Sequence, residues 1–244
     1  MLIVHHLQRS QSERVVWLCE ELGIPYELKV YRRERATLLA PPEFKALHPA
    51  GTAPIVQDGT IILSESSAII EYITQKYAQD SRLKLSASDP GFANYIYWYY
   101  YAIGSLQSSL DTPMFLRASG ADAANPIVQF LDHRMERGLK FVDERLKETN
   151  AYLAGGELTL ADIYMVFQMT TLRLFSPFAL TAYPGILAWV RRVAERPAYK
   201  RFIEKAEQGE DRGIRRRWRR RPRRFVQARR IAAPSNSACS DCRK

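Results

Sequence analysis

The chain has 244 residues, of which 46% are hydrophobic and 25% are charged, and its formal net charge is +10. This composition is typical of a folded protein with a buried core, and it excludes a wholly disordered or collagenous chain. Three cysteines are too few for a disulfide framework, and no apolar run reaches the roughly 18 residues of a membrane-spanning helix. The N-terminus lacks the pattern of a signal peptide, so the sequence predicts a cytoplasmic protein without membrane contact.

In chain order, the first 80 residues predict a small α/β domain. The patterns indicate a strand over residues 2–7, a helix over 13–22, a strand over 26–31, a short helix over 42–47, a hairpin turning at Asp58-Gly59, and a helix over 64–77. Gly23 stands where a helix stop is expected. This order of elements fits a sheet with one crossover connection followed by a hairpin.

The remainder of the folded part is predicted to be helical. Helical patterns cover residues 91–116, 126–149, 159–175 and 185–206, the last with a break near Pro197. We therefore expect two domains, residues 1–80 and residues 89–206, followed by a tail over residues 207–244.

The positive charge is concentrated in this tail. Residues 207–244 contain 13 Lys and Arg but only 4 Asp and Glu, so the rest of the chain is almost neutral. Charge repulsion predicts disorder, and three interpretations stay open: a nuclear-import signal, an arm that binds nucleic acid or anionic lipid, and a merely solvated extension. Cys239 and Cys242 have CxxC spacing but no second ligand pair, so no metal site is predicted.

The first candidate site is the turn between the first strand and the first helix, which contains Ser10 and Ser12. Free backbone N–H groups and the helix dipole stabilise negative charge at a helix N-terminus, whether that of a phosphate or of a thiolate. The alternative is that either serine only caps the helix. At least one of His5 and His6, on the preceding strand, should face the core.

Two further candidate sites follow along the chain. Ala53-Pro54 begins a strand, and a cis bond there would present the Ala53 backbone to a peptide-like ligand; the alternative is an ordinary edge-strand proline. Glu65 and Ser66 lie where the next helix begins. They could hold the ammonium and carboxylate groups of an amino acid, or they could only cap that helix.

Taken together, these motifs resemble those of the cytosolic glutathione transferases, and they are most similar to the serine-type, Gtt-like members of fungi and bacteria. The resemblance covers residues 1–206. It rests on Ser10-Gln-Ser-Glu-Arg14-Val-Val-Trp-Leu-Cys-Glu-Glu-Leu-Gly-Ile-Pro-Tyr26, His48-Pro-Ala-Gly-Thr-Ala-Pro54, Ser64-Glu-Ser-Ser-Ala-Ile-Ile-Glu-Tyr72, Thr159-Leu-Ala-Asp162 and Tyr183-Pro-Gly-Ile-Leu-Ala-Trp189. It implies an α/β thioredoxin-like N-terminal domain, an all-α C-terminal domain and a homodimer.

The resemblance also implies an enzyme that transfers the thiolate of glutathione to a hydrophobic electrophile, with reduction of organic peroxides as a second activity. Glutathione would be the co-substrate, and no metal or organic cofactor is expected. Detoxification and the tailoring of a secondary metabolite would use the same reaction. Ser10, four residues before Arg14, is the first choice for the hydroxyl that activates the thiol, and Ser12 is the second.

The glutathione-binding residues are carried over from the family pattern, whereas the electrophile-pocket residues are inferred from a run of aromatic residues. Those expected to bind glutathione are Thr52, Ala53, Pro54, Glu65 and Ser66, although Thr52 stands where relatives commonly have Lys or Gln. Six of the seven residues from Tyr95 to Tyr101 are aromatic, so the electrophile pocket is expected to include Tyr97 and Tyr101, joined by Met114 and Phe115. The alternative is that these side chains pack in the core or in a dimer interface. The alternatives are a non-catalytic binding or regulatory protein with this fold, and a protein that binds nucleic acid through its tail.

Overall fold

The computed structural model describes residues 1–207 of the chain. A four-stranded mixed sheet forms the N-terminal part. Its strands are β1 (Leu2–Leu7), β2 (Tyr26–Tyr31), β3 (Ile55–Asp58) and β4 (Ile61–Ser64), in the order β2-β1-β3-β4. β1 is parallel to β2 and antiparallel to β3, and β3 is antiparallel to β4. The predicted tail beyond Glu207 lies outside the described residues.

Three helices accompany the sheet: α1 (Glu13–Leu22), α2 (Pro42–Lys45) and α3 (Ser66–Tyr77). α1 ends at Gly23, whose left-handed φ of 64° suits a residue without a Cβ, as the sequence predicted. The hairpin turn lies one residue later than predicted, because Asp58 still pairs with Ile61 in the sheet. α3 likewise begins two residues late, because Ser64 is the last residue of β4.

The rest of the described chain contains helices and no further strand. In order, they are α4 (Phe92–Tyr100), a π-helical segment (Tyr101–Leu106), α5 (Gln107–Ala118), α6 (Pro126–Thr149), α7 (Leu160–Met169), two short 3₁₀ turns (Thr171–Leu174 and Leu180–Ala182), α8 (Pro184–Glu195) and α9 (Pro197–Ala206). The predicted break at Pro197 is confirmed. Up to Glu207, the structure has no helix with the length and apolarity needed to span a bilayer.

The predicted helix over residues 159–175 is shorter in the structure, because a contact with α1 ends it. The hydroxyls of Thr170 and Thr171 both donate to the buried carboxylate of Glu13, at the first turn of α1. Thr170 has left the helical conformation, with φ −116° and ψ −88°. A distant carboxylate therefore sets the end of α7, which a local pattern does not reveal.

The sheet domain and the helices share a buried core. α1 packs against α7 and α9, and its Trp17 meets the ring of Tyr199 edge-on at 5.3 Å. Arg14 is fully buried, and its Nε donates to the Tyr164 carbonyl oxygen at 2.9 Å. The start of α1 is therefore held in place by the helical domain as well as by the sheet.

Candidate active site

The strand register brings the three candidate sites to one edge of the sheet. Ile55, the first residue of β3, pairs with His5 near the end of β1 and with Ser64 at the end of β4. The turn that follows Leu7, the Ala53-Pro54 segment before β3 and the Glu65-Ser66 segment after β4 therefore leave the sheet at the same edge. Both α1 and α3 begin there, so two helix N-termini face this edge.

Ser10 and Ser12 are neighbours at the start of α1, but their surroundings differ. Their hydroxyl oxygens are 2.8 Å apart, and the Ser12 backbone N–H donates to the Ser10 oxygen at 3.2 Å. Ser12 is fully buried, whereas Ser10 keeps 5% of its surface exposed. Ser12 is the N-cap residue of α1, yet its side chain makes no cap hydrogen bond. The capping alternative is therefore wrong for the Ser12 hydroxyl, which contacts His6 and the Leu7 carbonyl instead.

The segment before β3 has the predicted special geometry. The Ala53–Pro54 peptide bond is cis, so the ordinary-proline alternative is wrong. Pro54 is buried, Ala53 is half-buried and Thr52 is exposed. The backbone of Ala53 therefore lies at the surface of the sheet edge and next to a buried residue.

The start of α3 combines an exposed carboxylate with a buried hydroxyl. Glu65 has a φ of 80°, in the left-handed region that a residue with a Cβ rarely adopts. It is the N-cap residue of α3, but its side chain makes no cap hydrogen bond. Ser66 is 4% exposed, and its hydroxyl donates to Gln11 Oε1 at 3.4 Å. The start of α3 is thus joined directly to the start of α1.

Arg14 connects this edge to the helical domain. Its guanidinium donates to Gln11 at 2.6 Å and to Gln107 of α5 at 2.9 Å, in addition to the Tyr164 carbonyl. Burial lowers the pKa of Arg14 to about 10, and the side chain stays charged at neutral pH. Arg14 therefore orients Gln11 and fixes the position of α5 beside the sheet edge.

A cavity of about 290 Å³ lies on another side of the long α4–α5 helix. It is lined by Tyr97, Tyr101, Ser105, Ser109, Arg134, Arg137, Gly138 and Phe141, and so it lies between this helix and α6. Gln107 contacts Arg14 and is two residues from both Ser105 and Ser109, which places it on the opposite side of the helix.

The four residues predicted for the electrophile pocket consequently do not share one surface. Tyr97 and Tyr101 line the cavity beside α6. Met114 and Phe115 do not line it: Met114 packs against the core, and Phe115 is 66% exposed. Spacings of four and seven residues along α5 put Asp111 and Met114 on the helix side that carries Gln107.

The sequence predicts no role for two residues that contact the candidate site, Gln11 and Glu207, and for His6 it predicts only that this residue or His5 faces the core. Both His5 and His6 are buried, so the expectation that at least one faces the core is confirmed. The alternation along β1 could have separated the two histidines, but no local signal connects His6 with Glu207, which lies 201 residues away. Within residues 1–207, no three His, Cys, Asp or Glu side chains are grouped as metal ligands.

The four-stranded mixed sheet with its helices, followed by an all-helical part, is the architecture of a thioredoxin-like domain joined to an all-α domain. Residues 9–76 match the family model of the glutathione S-transferase N-terminal domain, and residues 117–197 match that of the glutathione S-transferase C-terminal domain.

Individual relatives agree with the family models. The chain is 34% identical over 220 residues to glutathione S-transferase 3 of Schizosaccharomyces pombe, covering 85% of this chain and 88% of the relative. It is 32% identical over 226 residues to glutathione S-transferase 1 of Saccharomyces cerevisiae, covering 83% and 94%. The crystal structure of a glutathione S-transferase from Actinobacillus pleuropneumoniae superposes with a TM-score of 0.77 at 30% identity, covering 86% of this chain and 95% of that one.

The chain therefore belongs to the glutathione S-transferase family. It is a glutathione transferase, and glutathione is its co-substrate. The predicted fold class, a thioredoxin-like domain followed by an all-α domain, is confirmed.

Proposed function

We propose that the enzyme adds the thiolate of glutathione to a hydrophobic electrophile, and that Ser10 is the residue that stabilises the thiolate. The observation that carries the proposal is the position of the Ser10 hydroxyl at the N-terminus of α1, beside the buried Ser12. A free thiol has a pKa of about 8.5, so at neutral pH it is mostly protonated unless a neighbouring group stabilises the thiolate. A hydrogen bond to a charged group contributes about 1.5–3 kcal/mol, which corresponds to one to two pKa units.

The tripeptide is proposed to lie across the sheet edge. The backbone of Ala53, held by the cis bond to Pro54, would pair with the cysteinyl backbone of glutathione as an added strand does. The exposed Glu65 carboxylate and the N-terminus of α3 at Ser66 would bind the ammonium and carboxylate groups of the γ-glutamyl residue. Thr52, which is exposed and precedes Ala53, would meet the glycyl end. Residues 1–80 would thus bind glutathione, and residues 89–206 would bind the electrophile.

The electrophile is proposed to lie along the α5 side that carries Met114, with the exposed Phe115 beside it. This side also carries Gln107, which is joined to the start of α1 through Arg14. An apolar or aromatic electrophile suits such a surface, and an organic peroxide would reach the same thiolate. Tyr97 and Tyr101 face the separate cavity beside α6, so they are second candidates for this role.

A homodimer is proposed because aromatic side chains are exposed around that cavity. Tyr97 is 49% exposed and Phe141 is 41% exposed, and a second copy of the chain would cover this surface. Light scattering during size-exclusion chromatography tests this proposal. Phe141→Glu is expected to shift the protein to the monomer mass, and an unchanged dimer mass in this variant would contradict the proposed surface.

The test of thiolate formation is ultraviolet difference absorbance while glutathione is titrated into the protein across a range of pH. Wild type should show thiolate absorbance at neutral pH. Ser10→Ala should raise the pKa of the bound thiol by about one to two units and lower kcat/KM towards a nitro-activated aryl halide about 10- to 100-fold at pH 6.5.

Ser119→Ala is the matched control, because this hydroxyl is exposed at the end of α5 and donates to the Leu116 carbonyl. The control should behave like wild type. Binding of glutathione without any thiolate absorbance in the wild type would contradict the proposal. An unchanged thiol pKa in Ser10→Ala would show that Ser10 does not stabilise the thiolate.

A further inference from the structure

A chain of hydrogen bonds runs inward from Ser10 through three further side chains. Ser12 Oγ lies 2.8 Å from Ser10 Oγ and 2.8 Å from Nδ1 of His6, and Nε2 of His6 lies 3.2 Å from the Glu207 carboxylate. Ser12 and His6 are fully buried, while Ser10 and Glu207 are 5% and 4% exposed. Since water has little access to these groups, their own donors and acceptors decide where the hydrogens lie.

The chemistry of these groups determines which atom donates and which accepts in each hydrogen bond of this series. An ionised carboxylate only accepts hydrogen bonds, so the hydrogen between His6 and Glu207 belongs to Nε2. A neutral imidazole with its hydrogen on Nε2 leaves Nδ1 as an acceptor. The Ser12 hydroxyl has two acceptors in reach, Nδ1 at 2.8 Å and the Leu7 carbonyl at 3.2 Å, and the shorter contact favours Nδ1. Ser12 Oγ can then accept the hydroxyl hydrogen of Ser10.

We propose that His6 is the base that receives the proton of the glutathione thiol, with Ser10 and Ser12 as the relay and Glu207 as the counterion. The inference rests on the proposed function, because it requires the thiol to bind at Ser10. His6, Ser12 and Glu207 would not contact glutathione, and they would act on the thiol through the Ser10 hydroxyl.

The proton transfer balances at every atom. The S–H bond of the thiol breaks, and its proton bonds to Ser10 Oγ. The hydroxyl proton of Ser10 passes to Ser12 Oγ, and the hydroxyl proton of Ser12 passes to Nδ1 of His6. Both serines remain neutral hydroxyls, and the products are a thiolate and an imidazolium, so the total charge is unchanged.

The product state has the hydrogen bonds that a thiolate needs. Nδ1 of the imidazolium now donates to Ser12, Ser12 donates to Ser10, and Ser10 donates to the sulfur. The Ser12 backbone N–H also donates to Ser10 Oγ, so both lone pairs of that oxygen are used and its hydrogen is free for the thiolate. Glu207 fixes the tautomer of His6 and stabilises its charge, which is the role of the carboxylate in a hydroxyl–imidazole–carboxylate triad.

The end of α9 packs against the end of β1 and so places Glu207 next to His6. Gln8 donates to the carbonyl of Ala206 at 3.0 Å, the Arg9 backbone N–H donates to the Glu207 carboxylate at 3.3 Å, and Phe202 of α9 meets the His6 ring edge-on. Three contacts thus dock the end of α9 onto the end of β1. The C-terminal end of the helical domain thereby becomes part of the environment of the Ser10 hydroxyl.

Other charged groups surround this pair, and they are already engaged. The titratable and charged groups near His6 and Glu207 are Glu13, Tyr199, Arg9 and Arg33. Burial raises the pKa of Glu13, whose carboxylate accepts from Tyr199 at 2.9 Å. Burial lowers the pKa of Arg33, whose guanidinium donates to the carbonyls of Gln8 and Arg9. Among residues 1–207, Glu207 is the carboxylate that contacts the imidazole of His6.

The experiment compares the pKa of the bound glutathione thiol and the pH dependence of kcat/KM in His6→Asn, Ser12→Ala and the double variant. Each single variant interrupts the relay while Ser10 remains, so each should raise the thiol pKa by about one unit and lower kcat/KM about tenfold at pH 6.5. The defect should disappear at a pH above the raised thiol pKa. The double variant should be no worse than either single variant, because both remove the same pathway.

Glu207→Gln keeps the hydrogen-bond acceptor but removes the charge, and it leaves the packing of β1 intact. It should raise the thiol pKa in the same direction by a smaller amount, so it tests the proposal even if His6→Asn does not fold. His5→Asn is the matched control on the same strand, since His5 contacts Tyr31 instead of the serines; it should match wild type.

The outcomes separate this inference from the proposed function. A raised thiol pKa in Ser10→Ala together with a wild-type thiol pKa in His6→Asn, Ser12→Ala and Glu207→Gln would overturn the relay and leave the role of Ser10 intact. Absence of thiolate in wild type would overturn the proposed function itself. Losses that add up in the double variant and persist at high pH would also overturn the relay, because packing damage behaves in that way.

Discussion

The carboxylate of Asp162 holds the loop before α7 against α7 and α8. Its Oδ1 accepts from the Leu153 backbone N–H at 3.1 Å and from Trp189 Nε1 at 2.8 Å. Its Oδ2 accepts from the backbone N–H and the hydroxyl of Thr159, at 3.0 and 3.3 Å, which completes a capping box. Asp162 is completely buried. Replacing it with Asn preserves the shape of the side chain but converts one acceptor oxygen into a donor.

The Asp162→Asn variant should be clearly less stable than wild type. If the NH₂ group faces Leu153 and Trp189, two donors lose their acceptor; if it faces Thr159, the Thr159 backbone N–H loses its acceptor while the Thr159 hydroxyl can turn and accept from the amide. Each buried unsatisfied donor costs about 1–3 kcal/mol, and the amide adopts the less costly orientation, so we expect a loss of about 1–3 kcal/mol in the free energy of unfolding. The total for a folded protein is only about 5–15 kcal/mol.

Urea unfolding followed by tryptophan fluorescence measures this loss. Burial raises the pKa of Asp162 to about 6, so the measurement belongs at pH 8, where the wild-type carboxyl is ionised. Asp122→Asn is the control: this residue is exposed in the loop before α6, where its carboxylate accepts from the Ala124 backbone N–H, and the variant should stay within about 0.5 kcal/mol of wild type. A loss below about 1 kcal/mol in Asp162→Asn would refute the reasoning.

Two further changes test packing and electrostatics. Gly185→Ala should destabilise the fold by about 1–3 kcal/mol, because a Cβ there would lie 2.4 Å from the backbone oxygen of Asp143. Gly156→Ala is the control, because a Cβ at Gly156 would have no heavy atom within 4 Å. Equal urea midpoints for the two variants would contradict this account. Hydrogen bonds from Lys76 and neighbouring tyrosines lower the pKa of Asp58 from 3.8 to about 2. Stability from the Asp58 carboxylate is therefore present above pH 3.8 and is lost as the pH falls towards about 2. Asp58→Asn should be less stable than wild type at pH 7, and the difference should shrink between pH 4 and pH 2; a difference independent of pH would be the contrary result.

Much of the candidate site could be predicted because its parts are local. Ser10 precedes the first helix, Pro54 precedes a strand and Glu65 precedes another helix, and each position follows from patterns within a few residues. The resemblance to a family supplied the ligand proposed for these parts. In the sequence only the spacing from Arg14 ranks the two serines, whereas in the structure Ser12 contacts His6 and Ser10 contacts Ser12. The residues proposed for the electrophile pocket are harder to predict, since a run of aromatic residues covers every side of a helix and does not indicate which side faces the sheet.

Local sequence patterns are sufficient to predict the elements, their order and the division into a mixed α/β part and a helical part. Hydrophobic periodicity, glycine stops and proline breaks act over short distances, and so they can be read locally. The surroundings of the Ser10 hydroxyl, in contrast, depend on how distant segments pack together. Ser12, His6 and Glu207 meet because β1 ends beneath the last helix, and a contact across 201 residues has no signature in either segment. The contact between Glu13 and the end of α7 likewise joins segments that are far apart in the chain, so local patterns do not reveal it. In this enzyme the hydrogen-bond partners of buried polar groups are chosen by packing, and packing depends on the whole fold.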